Sequence, residues 1–259
     1  MTEAWLAEQV SGFWEAAGGP TPFPRDLEEP ALWALPLTVD RVEGLRVSTS
    51  QAWLRDRAIP VQLSEPDRAL RACLVAYAGR GLVLVERDDP DDERRFSLAH
   101  EVGHFLVDYL APRRRVLERL GPRLAEVLDG RRPATLEERV DALLGDVPLG
   151  VHAHLLRRSP DGAIGCGEVL AAEARADRLA LELLAPAATV RAALERRVPP
   201  SSAEARAAGG RARAEERAAE AAELLVERFG LPWTVAASYG RWLAWRWSGE
   251  PSVREWLGM

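Results

Sequence analysis

Residues Phe96 to His104 read Phe-Ser-Leu-Ala-His-Glu-Val-Gly-His, placing His100 and His104 four residues apart with Glu101 directly after the first. On a helix, side chains at i and i+4 leave one face about a turn apart, so both imidazoles can reach a single Zn²⁺ while Glu101 sits beside the metal's open position. That constellation activates water for the hydrolysis of peptide bonds. With 4 histidines and 26 glutamates in 259 residues, chance supplies roughly 255 × (4/259)² × (26/259) ≈ 0.006 such runs, which sets aside coincidence. The competing reading is a helix with two internally satisfied histidines, and Gly103, which leaves room for a neighbouring element, counts against it.

Catalytic zinc takes three protein ligands and keeps a fourth position open. His152, His154 and the carboxylates downstream are candidates for the third. A helix from about Glu168 to Leu184 carries Ala176, Leu179, Ala180, Leu183 and Leu184 as its apolar stripe, and Glu173 and Asp177 fall on the same face. Inward carboxylates are costly to desolvate without a cation; Glu173 as a ligand and Asp177 hydrogen-bonded to a ligating histidine would satisfy both. A solvated acidic face on an Arg-flanked helix is the alternative.

The elements that must position these groups follow from local signals. Apolar runs Ala72 to Tyr77 and Leu82 to Val85 flank Ala78-Gly79-Arg80-Gly81 and predict a hairpin. A strand start is expected over Ile59 to Leu63, after a short helix from Ser48 to Arg57. Asp89 as N-cap, Pro90 at the first helical position and the acids at 91 to 93 open a helix running to about Leu110, with Pro112 as its stop. Val116 to Leu128 reads as a helix ended by Gly130, Thr135 with Glu138 as a capping box for a helix to about Leu144, and Val147 to Leu155 as an alternating strand with His152 and His154 on one side. The sum is an α+β chain, mostly helical, with a small antiparallel sheet packed on the HExxH helix and on a second metal-binding helix. The expected organisation is an N-terminal helix and Pro-rich arm (1–35), a catalytic domain (36–195), an Ala/Arg-rich linker (196–218) and a C-terminal helical segment (219–259).

Composition bounds the function. All 34 basic residues are Arg, against 40 acids, so the net charge of −6 provides no overall basic field for nucleic acid or an anionic membrane surface. Two cysteines, Cys73 and Cys166, are too few for a secreted disulfide scaffold and are expected as free thiols. The start MTEAWLAEQV lacks a cationic end followed by an apolar stretch, and no window approaches the ~20 apolar residues that span a bilayer. A cytoplasmic protein is expected.

Taken together, Arg95 to His104 and Glu173 to Pro186 resemble the ImmA/IrrE family of bacterial metallopeptidases, whose pattern is F-[ST]-x-A-H-E-x-[GA]-H followed by E-x-x-A-[ND]-x-F-A-x-x-L-L-x-P. Leu179 replaces the usual Phe and Ala185 the usual Met, both apolar. The resemblance covers about residues 80–110 and 168–186. It implies Zn²⁺ held by His100, His104 and Glu173, Glu101 as general base, and Asp177 supporting a ligand. It further implies an endopeptidase that cleaves a protein regulator such as a helix-turn-helix repressor, in stress or mobile-element responses. His104 and Glu173 are 69 residues apart where the family has a few tens, so 112–167 reads as an inserted subdomain. In the implied mechanism Glu101 takes the proton of a zinc-activated water and passes it to the leaving amine. His152, His154 and Tyr109 are candidates for the oxyanion donor or substrate contacts, and the His pair could alternatively bind a second metal. The tail from Leu224 to Leu243 resembles the helix, turn, helix that follows this core; Trp242, Trp245 and Trp256 are spaced for packing, and sparse Arg residues argue against DNA contact. The alternative from another class is a non-catalytic, metal-stabilised regulatory or protein-binding module, against which the intact Glu101 weighs. Hydrolysis of small peptides is a third possibility.

Overall fold

The computed structural model describes residues 4–59, 61–139, 152–157, 167–197 and 210–248. Two compact units divide the chain, one built from Glu3–Pro20 and Asp26–Ala180, the other from Thr21–Arg25 and Leu181–Met259.

In the first unit, α1 (Ala4–Ala16) and α2 (Glu28–Ala34) lead into β1 (Leu37–Val42), α3 (Val47–Asp56), β2 (Leu70–Tyr77), β3 (Arg80–Glu86) and α4 (Asp91–His104). A π-helical turn, Phe105–Leu110, joins α4 to α5 (Ala111–Leu120); a 3₁₀ turn (Pro122–Leu124), α6 (Ala125–Leu128) and β4 (His152–Arg157) follow, and α7 (Gly167–Leu184) closes the unit. The architecture is α+β and mostly helical.

The hairpin forms where expected. Ala78 and Gly79 take φ of 52° and 77°, and positive φ at both positions of a two-residue turn matches the right-handed twist of the strands it joins. Strand order is β1-β3-β2-β4, and the sheet is mixed where an antiparallel one was expected, because β1 runs parallel to β3. The strand expected at 59–63 is absent from residues 61–63. There the Gln51 side-chain amide donates to the Val61 carbonyl at 2.9 Å and accepts from the Leu63 N–H at 2.7 Å, supplying the bonds a neighbouring strand would give.

Alternation along the strands sorts the two faces. Cys73, Leu84 and Leu155 are cross-strand neighbours on one face and pack with Leu45, Leu54 and Leu70 around α3. Leu74, Val83 and His154 are neighbours on the other, the face on which Phe105 lies over Gly81. Edge strand β4 thereby directs His152 and His154 to the α4 side.

Pro112 does not stop the helix. It occupies the first turn of α5, and the change of hydrogen-bond register at the preceding π turn accommodates a residue without an N–H. The break comes at Gly121, with φ of 88°, which splits the helix expected up to Gly130; Val116, Leu124, Val127 and Leu128 form a small core of their own. Thr135 and Glu138 make the reciprocal bonds of a capping box, with 136–139 helical. The continuation to Leu144 lies outside the described residues. At the start of α4, Pro90 is the N-cap where Asp89 was expected.

In the second unit, α8 (Ala187–Arg197), α9 (Gly210–Phe229) and α10 (Trp233–Ser248) follow the last turn of α7. Residues 210–218, expected as linker, open α9, and 198–209 lie outside the description. The turn after Phe229 uses Gly230 at φ 65°, and α10 returns against α9 with Gly240 close against Ala218 and Ala222. Trp242 and Trp245 are 42% and 43% exposed, with the Trp242 ring stacked on Tyr239; Trp256 lies outside the described residues. Among the described residues no helix is long and apolar enough to cross a membrane.

Helices α4 and α7 cross at Gly103, where a Cβ would stand 2.9 Å from the Ala176 carbonyl oxygen. Gly103→Ala is therefore expected to force the helices apart and cost about 1–3 kcal/mol. Urea denaturation of the two proteins measures it, and equal midpoints would show that the crossing has slack.

Candidate metal centre

α4 brings His100 and His104 to its inner face with Glu101 between them; all three are buried, Glu101 completely. The i, i+4 spacing and the close crossing allowed by Gly103 aim both imidazoles at α7, which presents Glu173 and Asp177 on one face. β4 adds His154 from the third side. One ligating atom each from His100, His104, His154 and Glu173 lie within 4.8 Å of one another, a cluster that can hold a metal ion.

Each α4 imidazole is oriented by a carboxylate. His100 Nδ1 donates to Asp177 Oδ1 at 2.8 Å and His104 Nδ1 donates to Asp108 Oδ2 at 2.7 Å. Their Nε2 atoms then face each other at 3.1 Å. Two lone pairs cannot meet at that distance unless a proton or a metal ion lies between them, so the donor set fits a cation. Glu173 approaches from α7, with Oε2 at 3.4 Å from His100 Nε2 and Oε1 at 3.7 Å from His104 Nε2. His154 donates from Nδ1 to Glu101 Oε2 at 2.9 Å and from Nε2 to Glu173 Oε1 at 2.9 Å, its ring stacked on His104 with centroids 3.8 Å apart.

Two sequence candidates stand apart from this cluster. Tyr109 accepts the Gly79 N–H at 2.8 Å and is committed to the hairpin turn. His152 lies beside the Tyr109 ring, with its Nε2 unpartnered among the described residues, and is outside the four-ligand group that includes His154. Asp108 was not foreseen; its position four residues after His104, within hydrogen-bond reach on a helix, was the available signal. Cys73 is a buried free thiol, and Cys166 lies outside the described residues.

The electrostatics show what the cluster requires. Burial disfavours the charged imidazoles, yet the bonds to Asp177 and Glu173 raise His100 to about 9, and Glu101 with Glu173 raises His154 to about 10. Glu101 and Glu173, although desolvated, are pushed below the usual carboxylate range by the same histidines. Without a metal, protons on His100 and His154 thus carry the positive charge that balances the carboxylates. No family model, characterised protein or solved structure matches the chain.

A metal held by His100, His104 and Glu173 must displace the His100 proton. Because His100 holds it through neutral pH, affinity should climb with pH by about 10-fold per unit below about 9 and level off above it. Chelator-competition titrations across this range measure the slope; an affinity independent of pH would contradict the assignment of protons to the cluster.

Proposed function

We propose that this chain is a zinc-dependent endopeptidase of the ImmA/IrrE kind, acting in the cytoplasm on a protein regulator such as a helix-turn-helix repressor. The observation that carries the reading is Glu101: it is completely buried, held as an anion, adjacent to two ligands and itself outside the ligating group. Hydrolysis of an amide needs a base in that place.

His100, His104 and Glu173 would hold the ion, with Asp177 and Asp108 fixing the two imidazoles. Bound zinc would supply Lewis-acid activation of a water and of the scissile carbonyl. Glu101 accepts the proton of the attacking water at its carboxylate and hands it to the departing amine. His154, the N–H donor beside Glu101, is the candidate to stabilise the developing oxyanion, since Tyr109 and His152 stand outside the cluster. Complete burial of Glu101 keeps bulk water from competing for that proton.

A second reading has one specific observation in its favour. His154 joins His100, His104 and Glu173 as a possible fourth ligand, and four protein ligands close the tetrahedron of zinc and leave no position for water. That set suits a metal-stabilised binding module.

Substitution separates the two. If the chain is a peptidase, Glu101→Gln retains one zinc per chain and loses about 10²–10⁴ in single-turnover cleavage of a repressor substrate. His154→Ala retains the metal with impaired turnover. If the centre is structural, the wild type cleaves neither repressors nor unfolded polypeptides, and His154→Ala sheds zinc as readily as His100→Ala.

A further inference from the structure

The π-helical turn after α4 carries a carboxylate whose set of partners is unusually complete. Asp108 uses both carboxylate oxygens: Oδ2 accepts from His104 Nδ1 at 2.7 Å, and Oδ1 accepts from Arg175 Nη2 at 3.0 Å. Its side chain is 14% exposed, against 51% for Asp177, which plays the corresponding part for His100. Burial would push the Asp108 carboxyl up, but His104 and Arg175 hold it below the usual range.

Arg175 lies on α7 between Glu173 and Asp177. One helix therefore addresses both α4 imidazoles: Asp177 orients His100 directly, and Arg175 orients His104 through Asp108, while Glu173 enters the ligating group. A carboxylate with one partner can swing about its Cβ–Cγ bond. A second, charge-assisted partner from a different element fixes its rotation and hence the ring of the histidine it grips.

We propose that Asp108 and Arg175 form a positioning pair for His104, locking its Nε2 onto the metal and tying ligation by α4 to the placement of α7. This rests on the metal-centre reading above. Neither residue is a ligand in the proposal. Asp108 acts through His104 and Arg175 acts through Asp108, so effects should grade along the chain of contacts. Asp108→Ala should weaken zinc about 10–100-fold. Asp108→Asn, which keeps an acceptor of the same shape, should fall between it and the wild type. Arg175→Met should weaken zinc by a smaller factor, and Arg175→Lys should restore part of the loss.

The test measures zinc dissociation constants for the full chain and these four variants by chelator competition at one pH, together with the visible spectrum of each protein loaded with Co²⁺, which reports ligand geometry. Thermal melts of the metal-free proteins accompany both. The expected result is the graded series in affinity with altered Co²⁺ bands in Asp108→Ala and Arg175→Met. A pair that merely braces two helices would instead lower the melting temperature and leave affinity and spectrum at wild-type values; that result in Arg175→Met and Asp108→Asn overturns the proposal even if Asp108→Ala fails to fold. A wild-type chain that binds neither zinc nor Co²⁺ would overturn the metal centre itself, which is a separate result.

Discussion

Charge buried in a protein has to be balanced where it lies, and in the first unit the balance is struck within a few ångström. Glu101 has no solvent exposure, Glu173 is half-buried, and the two imidazole Nε2 atoms stand 3.1 Å apart, a spacing that calls for a proton or a metal ion. In the metal-free arrangement two imidazole protons meet that need; a divalent ion would supply the same charge in one body. The crossing at Gly103, the carboxylates behind each histidine and the inward turn of β4 all follow as ways of holding the donors around one point.

The part of this arrangement encoded by local spacing was legible in the sequence. His100 and His104 come from a single helical period, and Glu173 with Asp177 could be read as inward because they share a stripe with Ala176 and Ala180. The hairpin was visible because its strands are apolar throughout and its turn contains glycine. Groups placed by tertiary contact were not visible in the same way. Strand β1, LTVDRV, carries no pattern that separates it from loop, and its parallel pairing with β3 depends on a connection that runs through α3 and β2. Strand pairing at 61–63 was pre-empted by one glutamine side chain, something a period-two pattern cannot encode. Asp108 lies inside the expected helix, but its grip on His104 is a pairing of two side chains that apolar periodicity does not encode.

The stretch between the two metal-bearing helices changes meaning in the structure. Read from spacing, 112–167 was an insertion between the two metal-bearing helices, with His152 and His154 inside it as candidates for a ligand or an oxyanion donor. Yet β4 lies within it, pairs with β2 over Leu70 to Ala76, and brings a third histidine into contact with both Glu101 and Glu173. Strand β4 is therefore part of the cluster's framework rather than an addition to it. An edge strand is a telling place for such a residue, since it is held by one neighbour and can yield more readily than a central strand.

Cys73 sits midway along β2, opposite Leu84 on one side and Leu155 on the other, with no solvent exposure and a thiol pushed far up by burial and by the negative charge of Glu101. Such a sulfur is inert while the sheet is closed. It becomes reactive only when β2 parts from its neighbours, and among the described strands β2 is the sole support of β4. Parting β4 from β2 therefore withdraws His154 from Glu101 and Glu173 in the same motion that uncovers the thiol, so alkylation of Cys73 reads out the opening of that edge of the site.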